Sequence, residues 1–133
     1  AIMVDRKSSK SRWGVYERSN KVIKKGLSIC IFPEKDYLDN TKLLNEFKRG
    51  AFKLSIDHQI PIVPMAFLDC KRKFPWHTNY GKPGKLRVET FSTIYPKKKH
   101  DKIENLQKTT RQIILNGLKN DPLQKNKEAI DLE

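Results

Sequence analysis

Short apolar runs alternate with stretches of helical periodicity, and that alternation restricts the chain to few architectures. Residues 27–32 read Leu-Ser-Ile-Cys-Ile-Phe, and residues 60–67 read Ile-Pro-Ile-Val-Pro-Met-Ala-Phe. Continuous apolar runs of this length suit strands covered on both faces. Residues 1–4 read as the end of another such strand, already under way where the chain starts. That start predicts a domain whose N-terminal part is missing. Trp13, Tyr16, Asn20 and Ile23 recur at helical spacing, which predicts a helix over 12–25 with Trp13 and Tyr16 as packing residues. Ser9 or Ser11 is positioned to cap it and Gly26 to stop it. A shorter helix is expected over 50–58, with Ala51, Leu54 and Ile56 inward. Pro61 and Pro64 place the 60–67 run at an edge or in irregular pairing. Residues 85–95 alternate as a strand with one wetter face. Asp101 and Glu104 have capping-box spacing. The helix they open carries Ile103, Leu106, Thr110, Ile113, Ile114 and Leu118 on one stripe, and Asp121-Pro122 ends it. Strand, helix, strand, helix, strand is the order of an α/β domain, a mostly parallel sheet flanked by helices. The expected domain is 1–120, followed by a polar tail over 121–133.

Within that frame, composition narrows the partners. The chain has 133 residues, enough for one domain with a core. Lys plus Arg number 28 against 15 acids, a net charge of +13. Such a balance implies anionic partners: nucleic acid, an anionic membrane surface or phosphorylated molecules. Cys30 and Cys70 lie in or near apolar runs and read as buried, reduced thiols. Three histidines without neighbours at ligand spacing make no metal site. Neither a signal peptide nor an apolar run of membrane-spanning length is visible.

In open α/β sheets, ligands bind beyond the carboxyl ends of the strands. Asp5-Arg6 and Pro33-Glu34 sit at two such ends. The polar stretch after Glu34 returns as Phe47-Lys48-Arg49-Gly50-Ala51-Phe52. A carboxylate and several cations are therefore expected along one ligand edge. Residues 71–85, Lys-Arg-Lys-Phe-Pro-Trp-His-Thr-Asn-Tyr-Gly-Lys-Pro-Gly-Lys, form a second anion-facing segment. Lysines among aromatics suit a membrane interface, or stacking on single-stranded nucleic acid.

Four motifs in order carry a resemblance. Val4-Asp5-Arg6, Ile31-Phe32-Pro33-Glu34, the 47–54 segment and the 60–67 run resemble successive blocks of the glycerolipid acyltransferases, the 1-acylglycerol-3-phosphate acyltransferase type. The resemblance covers residues 1–67, and beyond that only the layout agrees. It implies transfer of an acyl group from acyl-CoA or acyl-acyl carrier protein to lysophosphatidate in phospholipid synthesis, with no cofactor or metal. It implies work at the cytoplasmic face of a membrane, as a peripheral protein or one anchored by the missing N-terminal part. Carried onto this sequence, Arg6 is the phosphate fork, since a guanidinium matches phosphate bidentately. Glu34 is the organising carboxylate. Lys48 and Arg49 add charge ahead of Gly50, where a helix start favours an anion. Asp5, Phe32, Pro33, Ala51 and Pro64 shape the pocket. The segment 71–85 holds an anionic membrane surface.

Two departures accompany it. Family members continue Phe-Pro-Glu with Gly-Thr-Arg, where this chain has Lys35-Asp36-Tyr37. The family's catalytic block is a His and an Asp with four residues between them, the His acting as general base. Five positions beyond His58, His77 and His100 stand Val63, Lys82 and Asn105. No catalytic residue is therefore assigned within the chain, which is expected to be inactive alone, with the block upstream of Ala1. The alternative class is a basic module for nucleic acid or another anionic surface. No zinc spacing or RNP-type aromatic strand supports it, so nucleic acid is not the expected partner.

Overall fold

The computed structural model describes residues 2, 7–35, 42–75, 78, 80–97 and 102–125. Helix α1 (Ser9–Lys24) begins where Ser8 accepts a hydrogen bond from the Ser11 amide at 3.1 Å. The cap thus falls one residue ahead of the nearer expected serine, Ser9. Gly26, at a φ of 74°, ends the turn after the helix as predicted. Helix α2 (Gly50–His58) has the bounds read from sequence. Its left-handed cap is Gln59, whose amide returns to the Ile56 carbonyl. Helix α4 (Ile103–Asn120) turns Leu106, Thr110, Ile114 and Gly117 inward. Between α2 and α4 lie strand β1 (Met65–Phe67), the short helix α3 (Cys70–Lys73) and strand β2 (Val88–Thr90). A last turn, α5 (Pro122–Lys125), follows Asp121.

The described sheet holds less than the sequence expectation. Two strands pair antiparallel, with Ala66 opposite Glu89, and no parallel pairing occurs among the described residues. Residues 27–32, expected as a central strand, form no strand. Leu27 is 59% exposed and Phe32 72%. A parallel strand needs neighbours at its edges and cover on both faces. The described backbone supplies residues 27–32 with neither. The 60–67 run pairs only in part, through β1 and a lone Ile62–Ile94 bridge. Its prolines explain that: neither Pro61 nor Pro64 can donate to a ladder.

The core joins the two halves of the chain. Phe47, Phe52, Ile56 and Leu44 pack with Ala66, Leu106 and Ile114. The Phe47 and Phe52 rings stack at 6.2 Å. α4 lies on α2 and β1. Its approach depends on Gly117, because a Cβ there would run into the Phe91 ring. α1 docks on α2 by polar contacts. The Tyr16 hydroxyl donates to Asp57, and Lys53 reaches Asp57 at 2.6 Å while lying 5.1 Å from the Tyr16 ring centre. Hydrogen bonds from Lys53 and Tyr16 hold the Asp57 carboxyl below its ordinary pKa. Trp13, expected to pack, is exposed instead. Cys30 and Cys70 are free and also exposed, because the runs that carry them are not covered. Among the described residues, no helix is long and apolar enough to cross a membrane.

Candidate functional site

The segment after residue 32 folds back on itself. Pro33 accepts from the Lys48 amide at 2.7 Å, and the Lys35 amide donates to Glu46, also at 2.7 Å. Glu34 thereby bridges Phe47 antiparallel. Backbone pairing thus brings the main chain at Pro33-Glu34 next to that at Phe47-Lys48, fourteen positions further along the sequence. The Glu34 carboxylate faces inward along this loop. One of its oxygens, Oε1, accepts from the Asn45 amide at 2.8 Å and the Asn45 side chain at 3.3 Å. Glu34 thus ties down the far arm of its own loop.

Residues from the second half of the chain hold that arm as well. Arg111 of α4 donates through Nε to the Asn45 carbonyl at 2.9 Å and through Nη2 to Leu44. Gln107 donates to the Phe47 carbonyl. Lys71 reaches the Lys42 and Leu43 carbonyls at 2.8 and 3.2 Å. Among the described residues these carbonyls have no ladder partner, and side chains satisfy them. Sequence reading missed Asn45, Gln107, Arg111 and Lys71 as supports. One signal was available: Arg111 is a long cation beside the buried stripe positions Thr110 and Ile114.

The other expected site residues fall around this loop. Lys48 and Arg49 are exposed. Arg49 pairs with Glu104 of α4 at 3.1 Å. Gly50 opens α2, whose first turn has no side-chain cap, so its leading amides remain available. Ala51 is half-buried against the core, and Pro64 is buried with its carbonyl taken by the Phe91 amide at 3.0 Å. Phe32 leans on Phe67 at 5.8 Å between ring centres. Asp5 and Arg6 lie outside the described residues. His58 pairs through Nε2 with Asn20 at 2.7 Å, a contact between α2 and α1 away from the loop.

Beside Pro33 and Glu34 opens a cavity of about 450 Å³, within the range that takes small molecules. Leu44, Phe67, Leu86 and Ile114 give it apolar walls, with Glu34 and Lys71 at its polar parts. Its outer wall is braced by an ionic cluster that the sequence did not advertise. Asp69 has a fully buried side chain. It accepts from Arg87 at 2.7 Å, from Arg72 at 2.8 Å and from the Arg87 amide at 2.8 Å. Arg87 turns its other edge to Asp121 at 2.7 Å, beyond the end of α4. Hydrogen bonds from Arg87 foremost, and from Arg72, hold the Asp69 carboxyl far below the usual carboxylate range.

Comparison with known proteins agrees with the motif order. The family model described as Acyltransferase matches residues 1–68. The chain belongs to the acyltransferase family. Among curated proteins it is similar to a probable 1-acyl-sn-glycerol-3-phosphate acyltransferase of Mycoplasma pneumoniae. The identity there is 30% over 67 residues, half of this chain and 25% of that protein. It is 34% identical over 74 residues to human 1-acyl-sn-glycerol-3-phosphate acyltransferase beta, covering 51% of this chain and 26% of the relative. The coconut 1-acyl-sn-glycerol-3-phosphate acyltransferase is 31% identical over 80 residues, covering 60% of this chain and 26% of the relative. The matched segment thus spans about a quarter of each relative's length. No solved structure matches significantly.

Proposed function

We propose that these residues form the acceptor-holding part of an enzyme that acylates 1-acylglycerol 3-phosphate. The observation that carries the reading is the convergence of Pro33, Glu34 and Lys48 beside an apolar cavity. Family membership and the relatives' names supply the reaction class. The donor is an acyl thioester, acyl-CoA or acyl-acyl carrier protein. The acceptor hydroxyl attacks the thioester carbonyl, an ester C–O bond forms, the C–S bond breaks, and the hydroxyl proton passes through a general base to the leaving thiolate.

Each end of the acceptor then has a counterpart. The phosphate monoester meets Arg6, with Lys48 and Arg49 ahead of the uncapped start of α2. Glu34 keeps the loop closed so that Lys48 stays beside Pro33. The apolar cavity receives hydrocarbon. In the whole enzyme, residues 27–32 are a strand of a mostly parallel sheet, covered by parts of the fold beyond the described residues. The enzyme works at the cytoplasmic face of a membrane. Because no histidine here has an aspartate five positions on, these 133 residues alone transfer no acyl group.

The test is acyl transfer from acyl-CoA to 1-acylglycerol 3-phosphate by an enzyme that joins this chain to the His–Asp block. Arg6→Ala should lower acceptor kcat/KM by about tenfold to a hundredfold, the loss of a charged, bidentate contact. Unchanged kinetics would remove Arg6 from the site. Transfer by the 133-residue chain alone would overturn its assigned inactivity. No transfer to this acceptor by the joined enzyme would sink the reading.

A further inference from the structure

Strands β1 and β2 are joined by an arm, residues 68–87, whose described residues are tied to one another at several points. The ladder continues past the strands where the Leu68 amide donates to Arg87 at 3.0 Å. Farther out, the Lys82 amide donates to Lys73 at 2.7 Å, and the Lys73 ammonium reaches Pro83 at 3.1 Å. A Cβ at Gly81 would run into the Phe74 ring, so the chain passes close against that ring. Gly84 has a φ of 142°, which an L side chain would strain. At the base, buried Asp69 locks Arg72 and Arg87, and Arg87 ties the arm to Asp121 on the body.

What this brace presents is unusual for a surface loop. Phe74 is 65% exposed and Tyr80 84%, with Leu86 exposed behind them. Lys82 and Lys85 are exposed, and their ammonium groups have no partner among the described residues. From residue 70 to residue 88 there is no acidic side chain. An arm holding aromatic rings in water beside unpaired cations matches the headgroup layer of an anionic bilayer. Amphipathic rings settle there, and each cation gains from the negative surface. Single-stranded nucleic acid favours rings set along a basic groove. Here Phe74 and Tyr80 are exposed on the arm, and neither ring is paired with another ring among the described residues. The base of the arm, through Leu68, Lys71 and Leu86, also forms a wall of the cavity beside Glu34.

We infer that the 68–87 arm docks this protein on an anionic phospholipid surface, Phe74 and Tyr80 entering the headgroup layer and Lys82 and Lys85 facing lipid phosphates. Docking there holds the cavity and Glu34 next to the bilayer, the source of a lipid acceptor. The inference adds a partner to the acyltransferase reading. Binding is measured without turnover, so either can fail alone.

The experiment is co-sedimentation of the 133-residue chain with phosphatidylcholine vesicles, with and without phosphatidylglycerol. Binding should require the anionic lipid. Lys82→Gln with Lys85→Gln should weaken it about thirty-fold, about fivefold for each cation. Phe74→Ser with Tyr80→Ser should weaken it on anionic vesicles with the circular dichroism spectrum unchanged. Lys21→Gln with Lys24→Gln, an equal charge change on α1, should leave it near the parent value. Four results would overturn the inference. They are equal binding to neutral vesicles, no binding at all, equal losses in both lysine pairs, and a random oligonucleotide bound more tightly than the vesicles with a steep salt dependence.

Discussion

Residues 1–68 and residues 69–125 divide the work of the molecule unequally. The first stretch carries every motif of the family match, yet much of it is held by the second. Its apolar run at 27–32 is uncovered, and its Glu34 loop has carbonyls satisfied by Arg111, Gln107 and Lys71. The second stretch carries no recognised motif but contains α4, the ionic cluster around Asp69 and the arm between β1 and β2. Binding residues sit on loops where packing leaves them free, and a scaffold elsewhere fixes those loops. Recognition of a family from sequence therefore locates the chemistry and passes over the framework.

The largest test of that division removes a piece of framework far from any motif. Asp69→Ala should cost about 3 kcal/mol of folding stability, since it leaves Arg72 and Arg87 without their buried partner. Urea denaturation measures it. The pH dependence has a definite sign. The folded Asp69 carboxyl is held below its unfolded value, so its contribution is complete above the ordinary carboxylate pKa of about 4. It is lost as pH falls through the lower, folded value. The gap between parent and variant should therefore close in acid. A gap that is flat with pH, or a loss no larger than that of an exposed ion pair, would mean that the second stretch is not the framework.

How much of this was legible follows the range of the interactions. α1, α2 and α4 were readable because apolar spacing, Gly26 and Asp121-Pro122 act within a turn or two of chain. The nearness of Pro33-Glu34 to Lys48 was readable as motif order, and backbone pairing realises it. Residues 27–32 form no strand among the described residues because a parallel strand is a property of its neighbours, not of its own composition. The buried thiols and the packed Trp13 were misplaced for the same reason: apolar company along the chain is not cover in space. Arg111 on Asn45 and Arg87 on Asp121 left no local trace, since a long side chain reaching a distant carbonyl or carboxylate imposes no periodicity.

A smaller effect tests the link between the stretches directly. Arg111→Met keeps the apolar stem and removes the two donors to Asn45 and Leu44. Global stability should fall by about 1–2 kcal/mol. The sharper reading is local. Amides of Lys35 and Lys48, which close the Glu34 loop, should exchange with solvent faster than those of α2. Unchanged protection at Lys35 and Lys48 would show that Glu34 and Asn45 hold the loop without help from α4.

The smallest expected change separates framework from chemistry at one residue. Arg49 belongs to the basic motif, but its guanidinium pairs with Glu104 of α4 across an exposed surface. Such a pair contributes under about 1 kcal/mol, so Glu104→Gln should leave the denaturation midpoint nearly unmoved. It also releases Arg49 from a competing carboxylate at the start of α2. If Arg49 serves the phosphate, the joined enzyme carrying Glu104→Gln should bind acceptor more tightly, with a lower KM and an unchanged kcat. If Arg49 serves only to pin the loop to α4, acceptor KM should stay where it is and the Lys48 amide should lose protection instead. The two outcomes assign Arg49 to opposite sides of the division, although its stability effect alone would assign it to neither.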